Sequence, residues 1–75
     1  MHAEEIRANW PRALESCADV REISCALKWG FTDGDLATFR RLYRAGQYRE
    51  KILALLEDCN FHTFAKTLEA ENGQV

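Results

Sequence analysis

The sequence predicts an all-α fold, a single small domain of four to five short helices spanning residues 1–75. One proline and four glycines in 75 residues are too few turn-formers for a β protein of many short strands. Apolar residues recur at helical spacing, as in Leu36, Phe39, Leu42 and Tyr43,. Start and stop signals bracket that run, with Thr32-Asp-Gly-Asp35 before it and Gly46 after it,.

Residues 3–8 are good helix formers, and Ile6, Trp10, Leu14 and Cys17 fall at helical spacing,. Pro11 cannot sit inside a regular helix without losing a hydrogen bond and clashing with the preceding turn. It suits the first position of a helix starting near residue 10, so the N-terminal region is expected to kink or restart there. Residues 1–9 and 72–75 are candidates for fraying.

A second segment runs from Asp19, a candidate N-cap, to Trp29. Val20, Ile23 and Leu27 form its apolar stripe, and Gly30 is its natural stop,. The third begins at Thr32 or Asp33 with a capping box in which Asp replaces the usual Glu. Its two acids also oppose the positive helix terminus. With Leu36 set to zero at 100° per residue, Leu36, Phe39, Leu42 and Tyr43 span roughly 240–360°. Arg40, Arg44 and Arg41 then lie near about 40°, 80° and 140°, on a separate and solvated face.

The fourth segment, from Gln47 to Asp58, carries Ile52, Leu53, Leu55 and Leu56 over roughly 160° of its circumference, wider than a surface helix needs. It is therefore expected to be central, with Leu53 and Leu56 nearly fully buried. Asn60 is placed to cap a last helix with a stripe of Phe61, Phe64, Ala65 and Leu68, stopped by Glu71-Asn-Gly73,. That stripe reads as core before it reads as a dimer ridge.

Composition sets limits on function. Apolar residues make up 47% of the chain, with two Trp and four Phe, whereas disordered chains are poor in aromatics. A core this small rarely supplies more than roughly 3–5 kcal/mol of net stability, so a second copy or a partner is a candidate contributor. No run of about 18 apolar residues exists to span a membrane. The N-terminus lacks the order of a signal peptide, and a cytoplasmic protein is expected. Cys17, Cys25 and Cys59 are an odd set, which reads as reduced and mostly buried thiols,.

The net charge of −2 is segregated along the chain. Residues 1–35 carry four basic and seven acidic side chains, residues 36–51 five and one, and residues 52–75 one and four. A positive band thus lies between two negative segments.

Residues 22–39 have the spacing of two helices meeting at a sharp turn. Ala26 is small where they would cross, and Gly30 follows at the turn. Cys25, Trp29, Phe31, Leu36 and Phe39 stand at the offsets that would seal the joint. Over about 20 residues the chain therefore resembles a helix-turn-helix unit. The resemblance implies a recognition helix whose first residues meet base edges. Here those residues are Thr32, Asp33, Gly34 and Asp35, two of them carboxylates facing a polyanion.

No arrangement of residues supports catalysis. His62 is the only histidine in the interior of the chain, and no nucleophile stands in sequence beside a base and an orienting group. Cys59-x-x-His62 is one ligand pair where structural zinc needs two, so no metal or other cofactor is expected. The reading is a non-enzymatic protein that binds another macromolecule. Its candidate binding residues are Arg40, Arg41, Arg44 and Arg49, with Tyr48 and Trp10 as candidate interface aromatics. The expected partner is a protein with an acidic surface, because Arg pairs carboxylates bidentately. The alternatives are a helix-turn-helix DNA regulator, with the same arginines on phosphate, and a solvated face paired internally with Glu57, Asp58 or the N-terminal acids.

Overall fold

The computed structural model describes residues 2–73, and every regular element among them is a helix. Six occur: α1 (Ala3–Ala8), α2 (Trp10–Ser16), α3 (Arg21–Ala26), α4 (Asp33–Arg44), α5 (Arg49–Asp58) and α6 (His62–Gly73). There is one more than the upper expected number, because the N-terminal segment is two helices. The break is at Asn9, whose backbone leaves the helical region (φ −151°, ψ 79°) and whose side chain accepts from the Arg12 N–H. Pro11 sits in the first turn of α2, where a missing N–H costs no helical hydrogen bond. Ile6 of α1 is buried, and α1 packs on α2 and α3.

α3 starts one residue later than the expected cap: its N-cap is Val20, with no side-chain cap, and Asp19 just before it accepts from the Arg21 N–H at 2.9 Å. The helix ends earlier than expected, at Ala26. Lys28 and Trp29 follow with left-handed backbone (φ 55° and 56°), and the Trp29 N–H reaches back to the Ser24 carbonyl at 2.8 Å. Two side-chain-bearing residues thus make the turn assigned to Gly30. Asn60 also differs from expectation: it is left-handed (φ 62°) in the turn that closes α5, and the first α6 bond is accepted by the Phe61 carbonyl.

α5 is the central element, touching α3, α4 and α6. Its Ile52, Leu55 and Leu56 are fully buried, but Leu53 is only half-buried at the edge of the core. Trp10, Phe31, Phe39 and Phe61 join α2, α4 and the segment before α6 through edge-on and tilted ring contacts. The Trp10–Phe39 centroids are 4.6 Å apart. Trp10 is therefore core, which corrects its assignment to an interface. Ala65 and Leu68 of the last stripe are buried, with Phe61 and Phe64 packed at the margin.

Candidate interaction surface

The orientation of α4 is set at its first turn. Thr32 accepts from the Asp35 N–H at 3.2 Å while Asp35 accepts from the Thr32 N–H at 3.0 Å, closing the capping box. Asp35 does more than cap. It is 4% exposed and also accepts from Arg7 Nε (3.0 Å) and Trp10 Nε1 (3.1 Å). Burial pushes its carboxyl upward, but the Thr32 N–H, Arg7 and Trp10 outweigh that and hold it below the usual carboxylate value,. Asp35 thus points into the protein, not outward as a recognition-helix residue would, and of the two acids at this helix start Asp33 is the exposed one.

With that turn pinned, Phe39, Leu42 and Tyr43 face the core, and Arg41 and Arg44 are exposed, as the angular spacing predicts. Arg40 is half-buried. Its Nε lies 3.3 Å from Glu71 Oε1, and its guanidinium stands over the Phe64 ring at 5.6 Å. Arg44 lies 3.6 Å from the other oxygen of the same carboxylate. Internal pairing of the basic face is therefore real, but its partner is Glu71 of α6, not Glu57, Asp58 or the N-terminal acids. Glu57 pairs instead with His62 Nδ1 at 2.8 Å. Arg41 makes no ion pair among the described residues.

The remaining candidates serve the fold. Arg49 donates from Nε to the Tyr43 carbonyl at 2.8 Å and lies over the Tyr43 ring at 5.1 Å, bracing the α4–α5 turn. Tyr48 is half-buried in that turn with left-handed backbone (φ 57°), its hydroxyl donating to Glu15 at 3.2 Å. Lys51 donates to the carbonyls of Leu14 (2.5 Å) and Cys17 (3.3 Å), capping the C-terminus of α2,.

α3 and α4 are separated by residues 27–32, a longer connection than the turn of about three or four residues in helix-turn-helix units,. The main packing partners of α3 are α1 and α5, and those of α4 are α5 and α6. Cys25 and Trp29, assigned to seal the joint, are exposed, Trp29 by 55%. Ser24 occupies the buried side of α3 instead, its hydroxyl donating to the Asp58 carboxylate of α5.

Comparison of the chain with known protein families, with curated proteins and with solved structures gives no match. No described helix is long and apolar enough to cross a membrane. A shallow cleft of about 100 Å³ between α1 and α2 is lined by Glu5, Ile6, Asn9, Arg12, Ala13 and Ser16, small beside ligand pockets of roughly 300–1,000 Å³. Among the described residues no three His, Cys, Asp or Glu side chains gather to hold a metal. Cys59 is turned into the core, where burial and then Asp58 push its thiol up to about 11.

Two residues that shape this surface carried no functional signal in the sequence. Glu71 stands in what reads as a helix stop, and Asp35 reads as one of two equivalent capping acids. Only the packing of α6 on α4, and of α2 on the start of α4, separates them from their neighbours.

Proposed function

We propose that this chain is a small helical protein that works by binding another protein, one with an acidic surface, through the outward face of α4. Arg41 and Arg44 are its leading contacts and Arg40 a reserve behind them. The observation that carries the reading is Arg41: it is exposed opposite the buried Phe39, Leu42 and Tyr43, and has no ion pair among the described residues. A guanidinium on a helix already locked to a core meets a carboxylate bidentately with little further ordering of the backbone.

The same geometry favours protein over duplex DNA. Affinity for DNA comes largely from phosphates neutralised by cations. Here Glu71 lies against two of the arginines, while Arg49 and Lys51 are engaged with backbone carbonyls. Asp33 stays exposed at the start of α4.

The test uses the full chain as bait in an extract of its host, with nuclease present, beside an Arg41→Glu bait. A partner of acidic surface that is captured by the first and lost by the second is expected. Duplex binding titrated against salt is expected to be weak and non-specific near physiological salt. Tight, sequence-specific duplex binding lost on Arg41→Glu would replace this reading with DNA recognition.

A further inference from the structure

We infer that Glu71 is a built-in competitor for the arginine face, so that the last turn of α6 acts as a latch that an acidic partner displaces. The inference rests on the reading of α4 as a binding face and adds its regulation. Three observations lead to it.

One carboxylate serves two arginines of the face at once, Oε1 toward Arg40 and Oε2 toward Arg44. It therefore stands where a partner's carboxylate would bind. The closer contact is also imperfect. Arg40 Nε and Glu71 Oε1 are both cut off from water, yet neither has a hydrogen-bond partner, because their 3.3 Å approach is not aligned. Shielded polar atoms left without a hydrogen bond are costly, so an incoming carboxylate in the planar two-oxygen geometry improves on the one it replaces. Finally, among the described side chains of α6, Leu68 is the last that is fully buried; Glu69 and Ala70 beyond it are exposed, and Glu71 is half-buried. A helix segment with few buried apolar contacts opens at low cost.

The pairing is then an exchange. In the free protein Glu71 offsets part of the charge of Arg40 and Arg44 and leaves Arg41 as the point of first contact. As the partner's acids arrive, Glu71 gives up both guanidiniums while that of Arg40 keeps its place over the Phe64 ring. The latch sets a threshold: a single weak acid fails to displace it, and a clustered acidic surface succeeds.

The test measures binding of a fluorescent oligo-glutamate peptide at low salt to the full chain and to Glu71→Gln, Glu69→Gln and Arg41→Glu. Glu69→Gln makes the same charge change on the same helix, at an exposed position. Glu71→Gln is expected to tighten binding about three- to fivefold, the size of one or two exposed ion pairs, and Glu69→Gln by less than half of that factor. Binding seen only after Glu71→Gln would also support the latch. Equal tightening by both variants, or none by Glu71→Gln while Arg41→Glu still abolishes binding, would overturn the latch and leave the binding face standing. No binding by any variant, Glu71→Gln included, would overturn both. Melting curves of the two glutamine variants confirm that each remains folded.

Discussion

Asp35 and Trp10, 25 residues apart in the chain, are joined by a 3.1 Å hydrogen bond from the indole N–H to the carboxylate. With Arg7 and the Thr32 N–H on the same carboxylate, it ties α1 and α2 to the start of α4. Asp35→Ala removes a cap worth about 1 kcal/mol and leaves a buried indole N–H unsatisfied at about 1–3 kcal/mol. A loss of about 2–4 kcal/mol is expected in urea melts, a large share of the stability of so small a domain.

The same carboxylate sets an acid limb. Its native value lies below the ordinary 3.8, so on acidification the unfolded chain takes up this proton first. The contribution is fully present above the ordinary value and is lost as pH falls through the depressed native one. Thermal melts between about pH 2 and pH 6 should show the wild-type chain losing stability in that window. Asp35→Asn should be less stable throughout and flatter there.

Within α5, two leucines that look alike in sequence are expected to behave differently. Leu56 is fully buried and Leu53 half-buried. Leu56→Ala should cost about 2–5 kcal/mol, enough to unfold much of the population at ambient temperature. Leu53→Ala should cost about half as much or less, since only part of its area leaves water. Equal losses in chemical denaturation would contradict the placement of α5.

The three thiols are expected to separate by reactivity. Cys25 is exposed, Cys17 and Cys59 are buried, and burial raises both buried thiols, Cys59 to about 11. The thiolate is the reacting form. Iodoacetamide near about pH 8 should therefore label Cys25 first in the native chain, and all three only after denaturation. Peptide mass mapping reads the order, and early labelling of Cys59 would count against its burial.

Neighbouring arginines on α4 should differ as well. Arg41→Glu changes an exposed position and should alter stability by no more than about 0.5 kcal/mol. Arg40→Glu sets a carboxylate against Glu71, replacing a 3.3 Å attraction with like-charge repulsion and removing the guanidinium from the Phe64 ring. It should lower the melting temperature clearly more than Arg41→Glu, and the difference should shrink in high salt.

What the chain carries locally was legible in the residues alone. The spacing of Phe39, Leu42 and Tyr43, the Thr32–Asp35 box, and the break near Pro11 marked out helices that form where these signals lie. Periodicity and capping act over one to four residues, so a short window contains all their physics. The same reasoning separated Arg41 and Arg44 from the core face of α4, because both follow from one helical period, whereas Arg40, expected on the solvated face, is half-buried against Phe64 and Glu71.

The destination of each polar side chain belonged to the tertiary structure. Glu71 meets Arg40, Lys51 caps α2, Ser24 meets Asp58, and Asp35 turns inward to Arg7 and Trp10. Trp29 is exposed although its composition says core, because Lys28 and Trp29 take left-handed backbone and carry the chain outward before α4. These pairings depend on which helices lie side by side and at what rotation. A charged residue on a helix face carries no mark of its partner until the apolar faces have packed and brought the two within reach.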